Sequence, residues 1–208
     1  MTKIKICGIT NLADALLCLK LGADEIGLNF YPKSKRYTSF EEAVEWVSQL
    51  PTPIRKVGVF VDVPICDILL PLSELELDAI QLHGDEDAEY IADLRIETDA
   101  QIIKAIKVKS SDDLHGISEY RADSILLDTF SAGEKGGTGE VFDWGLAAQV
   151  SGEGSLIYLA GGLSPDNVRE AIKMVRPYAV DVASGVESEP GKKDPEKLKA
   201  FIENAKSA

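Results

Sequence analysis

The sequence predicts an α/β protein whose eight parallel strands, each followed by a helix, close into a single (β/α)8 TIM barrel over residues 1–208. Three observations predict it. Short β-branched apolar runs alternate with longer segments of helical period along the whole chain. There are eight such runs, and 208 residues shared among eight units leave 26 each, about the length of a compact strand–helix repeat. The segments that follow the runs carry the glycines, cations and acids, whereas those leading into them are mostly plain, as in barrels whose active residues sit on the loops after the strands. A doubly wound open sheet competes, because eight strands fit it too and the barrel is small beside the ~250 residues typical. No Ser/Gly/Pro-rich linker divides the chain, which favours one domain.

The units follow in order. KIKIC leads into NLADALLCLKLG, with Thr10 as the expected helix cap. EIGLNF leads into SFEEAVEWVSQL, where Ser39 and Glu42 have capping-box spacing. KVGVFV precedes VPICDILLPLSEL, a helix that Pro71 is expected to bend or end. DAIQLH precedes DEDAEYIADLR, QIIKAI precedes SSDDLHGISEY, and SILLD precedes FDWGLAAQV across a glycine-rich stretch. LIYLA leads to SPDNVREAIKMV and YAVDVA to DPEKLKAFIENA; Ser164-Pro165 and Asp194-Pro195 each place a cap before a proline at the expected first helical position.

Composition narrows the function. A formal charge of −13 repels polyanions, so nucleic acid and acidic membrane surfaces are not expected partners. The N-terminus lacks a basic start with an apolar run behind it, and no apolar run approaches the ~18 residues of a membrane span, so a cytoplasmic location is expected. Three cysteines without a CxxC pair indicate neither a disulfide framework nor a zinc site. Cys18 and Cys66, both within helices, read as core cysteines.

The chemistry-bearing residues lie after the strands. Gly161 and Gly162 follow the seventh strand, and Ser184 and Gly185 the eighth. In barrels that place often holds a phosphate on backbone N–H groups. The glycine-rich stretch TFSAGEKGGTGE, with Gly133, Gly136, Gly137 and Gly139, reads as a lid or binding loop. Arg36, beside Lys33 and Lys35, offers a guanidinium fork to a carboxylate or phosphate, which an acidic protein handling an anion needs locally. Asp128 ends the sixth strand among Leu126, Leu127 and Phe130, a setting that suits a proton-holding general acid. His83 closes the fourth strand and either polarises a substrate group or bonds its own loop. His115 reads as a surface residue. Asp181 is a strand carboxylate facing either inward or outward. Cys7 ends the first strand before Gly8, which is expected to keep space beside the thiol. It is either a small buried hydrophobe or a thiol tuned toward thiolate by nearby helix N-termini.

Taken together, KICGIT, FYPKSKRY, VGVFVD, IQLHGDE, LLDTF, GGTGEVFDW, LAGGLSPDNV and AVDVASGVESEPGKKD resemble, along nearly the whole chain and in order, the phosphoribosylanthranilate isomerases of tryptophan biosynthesis. Related phosphate-binding barrels such as indole-glycerol-phosphate synthase lack the CGIT opening. The resemblance implies an Amadori rearrangement of N-(5-phosphoribosyl)anthranilate, with Asp128 as general acid and Cys7 as general base. It implies that Arg36 holds the anthranilate carboxylate, that Gly161, Gly162, Ser184 and Gly185 hold the phosphate, and that Gly136, Gly137, Thr138 and Gly139 form the glycine-rich loop after strand six. His83 joins them as a substrate-binding candidate. No metal or organic cofactor is implied, and the partner is the small phosphorylated substrate, the chain being a monomer or homodimer. Two positions depart from the usual family pattern: Lys35 stands where proline is common, and Ala183 where serine is common. Two other readings stay open beside this one. A histidine-pathway aminoaldose isomerase would carry an aspartate after strand one, and a silent phosphate-binding barrel would need neither Cys7 nor Asp128.

Overall fold

A computed structural model describes residues 1–51, 54–128, 144–151 and 155–208. Eight strands, β1 (Lys3–Cys7), β2 (Glu25–Asn29), β3 (Arg55–Phe60), β4 (Ala79–Leu82), β5 (Gln101–Lys107), β6 (Ser124–Asp128), β7 (Leu156–Ala160) and β8 (Ala179–Val182), form a closed barrel in chain order. Every pairing is parallel, and β1 closes on β8 through Lys3↔Ala179 and Lys5↔Asp181. Closure settles the barrel against the open sheet.

Strand alternation sorts the side chains into two layers. Ile4, Ile6, Ile26, Leu28, Ile80, Leu82, Ile125, Leu127, Ile157 and Leu159 join the helices in one large apolar cluster. The opposite faces fill the barrel: Val57, Ala79, Ile103, Ala105, Leu126, Tyr158 and Ala179 form a second cluster. On β1 this puts Lys5 and Cys7 on the face opposite Ile4 and Ile6, and Lys5 is fully buried.

The helices are α1 (Leu12–Leu21), α2 (Phe40–Val47), α3 (Ile65–Glu74), α4 (Ala88–Glu97), α5 (Trp144–Val150), α6 (Val168–Val175) and α7 (Pro195–Lys206). The Ser39–Glu42 capping box and the Asp194 cap before Pro195 form as expected. Several expectations need correction. Asn11, not Thr10, caps α1 by accepting from the Asp14 N–H, while the Thr10 hydroxyl donates to Gly191 O. Pro71 lies inside α3 without ending it; a proline there forfeits one N–H bond, and its carbonyl still accepts from Leu75 N–H at the end of the helix. Ser164 opens a turn, its carbonyl accepting from Val168 N–H, and α6 itself starts at Val168 after Asn167.

The segment SSDDLHGISEY is not a helix. It forms two 3₁₀ turns, Ser111–Leu114 and Ile117–Tyr120, divided by Gly116 at φ +74°. Only Leu114 and Ile117 are buried there, too few apolar positions to hold a longer helix against the barrel, and His115 is exposed as expected. Cys18 is buried, with its thiol pushed up to about 12 by that burial. Cys66, expected in the core, is exposed: α3 turns Ile68 and Pro71 inward, and a residue two positions from Ile68 falls on the opposite side of the helix. After β8 come a 3₁₀ turn, Ser184–Val186, and an antiparallel pair, β9 (Glu187–Glu189) with β10 (Lys192–Lys193). Among the described residues, no helix is long and apolar enough to cross a membrane.

Candidate active site

At the carboxyl ends of the strands a cavity of about 570 Å³ opens, walled by Cys7, Arg36, His83, Asp128, Gly161, Gly162 and Ser184 among others. Residues expected from the sequence to act together are therefore neighbours, although they come from loops or strand ends of six different units. Gly185 stands behind this wall. A side chain there would run into the Leu163 carbonyl, so glycine lets the turn after β8 pack against the loop after β7. Gly161 and Gly162 have φ of +82° and +65°, the left-handed conformation glycine tolerates best, and a Cβ at Gly162 would meet open space. Gly136, Gly137, Thr138 and Gly139 lie outside the described residues. Lys33 and Lys35 are exposed, and Lys35 reaches the cavity wall.

The space around the thiol has a different source from the one expected. A Cβ at Gly27, the β2 partner of Cys7, would sit 2.8 Å from Cys7 Sγ and 3.2 Å from Lys5 Nζ, so Gly27 makes that room. Gly8, at φ +74°, instead admits Arg36, whose Cδ would lie 2.5 Å from an added Cβ. Burial pushes the Cys7 thiol up, while the Lys5 and Lys193 ammonium groups pull it back toward thiolate. The net direction is upward.

Arg36 is already engaged. Its Nε and Nη2 donate to the two Glu187 oxygens at 2.7 and 2.6 Å, and Lys193 Nζ donates to Glu187 at 2.9 Å and to Cys7 O at 2.7 Å. Burial alone would raise the Glu187 carboxyl, but its bonds to Arg36 and Lys193 hold it below the usual carboxylate range. The hairpin after β8 is thereby tied to the ends of β1 and β8 and to the loop that carries Arg36.

Sequence reasoning left out a buried chain of polar groups. Lys5 Nζ donates to Asp181 Oδ1 at 3.0 Å and to Gln81 Oε1 at 2.9 Å; Gln81 Nε2 lies 2.8 Å from His83 Nδ1, and His83 Nε2 lies 3.3 Å from Asp128 Oδ2. Burial opposes the Lys5 charge, yet Asp181 and the neighbouring groups hold it above the ordinary lysine range. Asp181 thus faces inward, and Asp128 has an imidazole beside it, not only the apolar wall its strand neighbours suggested. Leu127 points to the helices instead. The alternation in KIKIC held the missing signal: if both isoleucines face the helices, the lysine two residues before the cysteine shares its inward face.

The model of a known protein family, N-(5'-phosphoribosyl)anthranilate (PRA) isomerase, matches residues 4–204. An N-(5'-phosphoribosyl)anthranilate isomerase of Aquifex aeolicus is 48% identical over 209 residues, covering 100% of both chains. The crystal structure of phosphoribosyl anthranilate isomerase from Thermotoga maritima superposes with a TM-score of 0.91 at 46% identity, again covering 100% of both chains. A further structure, at 45% identity and a TM-score of 0.89 over 100% of both chains, is of a phosphoribosyl anthranilate isomerase in complex with reduced 1-(o-carboxyphenylamino)-1-deoxyribulose 5-phosphate.

Proposed function

The chain belongs to the family of N-(5'-phosphoribosyl)anthranilate isomerases, and on that premise we propose how its cavity carries out the reaction. The activity is the aldose-to-ketose Amadori rearrangement of N-(5-phosphoribosyl)anthranilate to 1-(2-carboxyphenylamino)-1-deoxyribulose 5-phosphate in tryptophan biosynthesis. Asp128 protonates the ribose ring oxygen, the ring opens, and a Schiff base forms between C1 and the anthranilate nitrogen. Cys7, as thiolate, removes the C2 proton to give an enolamine. The enolamine gains a proton at C1 and loses one from the C2 hydroxyl, so the two groups return to their starting states and no cofactor enters.

Binding energy comes from the two ends of the substrate. Gly161, Gly162 and the Ser184–Gly185 turn receive the phosphate through backbone N–H groups, and the GGTG stretch, Gly136 to Gly139, is a further substrate-binding candidate. Arg36 receives the anthranilate carboxylate. Among the described residues, Glu187 takes two of the five Arg36 N–H groups, which leaves three for a ligand. The single observation that carries this reading is that Cys7 and Asp128, on β1 and β6, border one cavity that also contains Arg36 and the glycines after β7. A histidine-pathway enzyme would want an aspartate where Cys7 stands.

The same reading takes residues 1–208 as one barrel domain working in the cytoplasm on a small phosphorylated substrate, as a monomer or a homodimer. The test is to generate phosphoribosylanthranilate in place and follow the loss of its anthranilate fluorescence. Enzyme-dependent loss supports the assignment, and decay no faster than the spontaneous rate sinks it.

A further inference from the structure

We propose that Lys5 and Gln81 are positioning residues that hold His83 as a neutral imidazole with its proton on Nε2, aimed at Asp128. This inference rests on the reading of Asp128 as the general acid and adds how that acid is kept competent. Lys5 is the cation of this hydrogen-bonded series. Lys5 is fully buried and has only donors to offer, so the Gln81 atom 2.9 Å from its ammonium must be the carboxamide oxygen. The carboxamide NH2 then faces His83 Nδ1 at 2.8 Å. An NH2 group has no lone pair to accept with, so Nδ1 must be the acceptor and carries no proton. Neutral imidazole has one proton, which this arrangement assigns to Nε2, 3.3 Å from Asp128 Oδ2.

Turning the carboxamide over would set its NH2 against the ammonium and break the bond to Lys5. The Lys5 position is itself fixed by Asp181, its cross-strand partner on β8. Protonating Nδ1 would set N–H against N–H. The chain therefore resists both the other tautomer and the imidazolium. Asp181, Lys5 and Gln81 reach His83 through these bonds; Asp62, Asp85 and Lys107 share its cavity wall, with Asp128 across from it.

The chemical consequence concerns proton delivery. An imidazolium beside Asp128 would favour the carboxylate so strongly that a proton would be hard to keep on the acid. A neutral N–H donor engages Oδ2 lightly, leaves Oδ1 to carry the proton, and steadies the carboxylate that appears once the proton has gone. The same ammonium lies beside the Cys7 thiol and eases its ionisation. One buried lysine thus biases the acid and the base in the directions each step needs.

The test is ¹⁵N NMR of the imidazoles in the intact protein, which has two histidines, His83 and the exposed His115 as an internal reference. The expected wild-type spectrum in mildly alkaline buffer shows His83 with a single proton on Nε2. In Gln81→Glu the new carboxylate accepts from Nδ1–H, so His83 becomes doubly protonated in neutral buffer. Its kcat/KM falls by roughly tenfold or more there and recovers at higher pH as the extra proton leaves. In Gln81→Leu the two tautomers mix. A wild-type His83 carrying its proton on Nδ1, one doubly protonated in mildly alkaline buffer, or a Gln81→Glu spectrum identical to wild type would each overturn the inference. Because the tautomer is read directly, turnover that survives loss of the Asp128 carboxyl would remove the acid assignment and leave the tautomer result standing.

Discussion

The barrel interior holds two buried polar chains, one at its floor and one at its mouth, built from the same kinds of residue. At the floor, Tyr158 Oη donates to Glu25 at 3.0 and 3.1 Å, Arg55 Nη1 donates to Glu25 at 2.8 Å, Arg55 Nη2 to Gln101 Oε1 at 2.7 Å, and Gln101 Nε2 to Ser124 Oγ at 3.0 Å. At the mouth, Asp181, Lys5, Gln81, His83 and Asp128 are linked in the same hand-to-hand fashion. The difference lies in where each chain ends. The floor chain runs between Tyr158 and Ser124, both buried, whereas the mouth chain ends on Asp128 and passes Cys7, both in the cavity wall. Buried charge is thus no marker of function by itself. A polar chain becomes chemistry only when its last member faces a space a ligand can fill.

The floor is also where ionisation is held still. Burial pushes the Glu25 carboxyl up, with Arg55 and Lys5 pulling it back, and burial together with Glu25 pushes the Tyr158 phenol up, so Tyr158 stays a donor. These groups link strands, with Glu25, Tyr158 and Ser124 buried and Arg55 partly exposed.

Breaking each chain should therefore produce opposite phenotypes. The largest effect belongs to the mouth: Cys7→Ala lowers kcat/KM by at least ~10²-fold, the scale of a general base, with a thermal unfolding midpoint near that of wild type. The pH profile follows from the sign of the thiol shift. Because Cys7 must have lost its proton while Asp128 keeps one, wild-type kcat/KM follows a bell in pH, and the raised thiol leaves only a small share of the enzyme in that form. A profile that climbs through the alkaline range without falling would count against this acid–base pair. Next comes Arg36→Ala, whose main effect is a rise in KM measured by steady-state fluorescence; a change confined to kcat would contradict a carboxylate clamp.

The smallest kinetic effect belongs to the floor. Tyr158→Phe removes one hydroxyl donor and leaves Glu25 under-satisfied, costing about 1–3 kcal/mol in denaturant unfolding while kcat/KM stays at the wild-type level. Equal losses of turnover at floor and mouth would erase the distinction between the two chains.

The order of strands and helices was legible because β-branched runs and helical periods alternate along the chain, and because the loop residues after strands carry the chemistry. The α3 proline, the Asn11 cap and the split segment around Gly116 were not, since each depends on how few or how many groups the surrounding packing buries. Cys7, Arg36, His83 and Asp128 were readable as strand-end or loop residues. Lys5 and Gln81 were not, because a lysine or glutamine inside an apolar strand looks like a solvent-facing residue until barrel closure shows which face points inward. The duties of Gly8 and Gly27 likewise exist only across strands: one makes way for Arg36 and the other for Cys7.

The most direct test of the contrast between mouth and floor is the turnover of Asp128→Asn, measured by loss of phosphoribosylanthranilate fluorescence on protein whose unfolding midpoint has been checked. The substitution keeps the shape and a hydrogen-bond acceptor for His83 but cannot deliver a carboxyl proton. The expected result is a fall in kcat of at least ~10²-fold with the midpoint unchanged. Turnover within a few-fold of wild type, or a loss explained by unfolding, would contradict it.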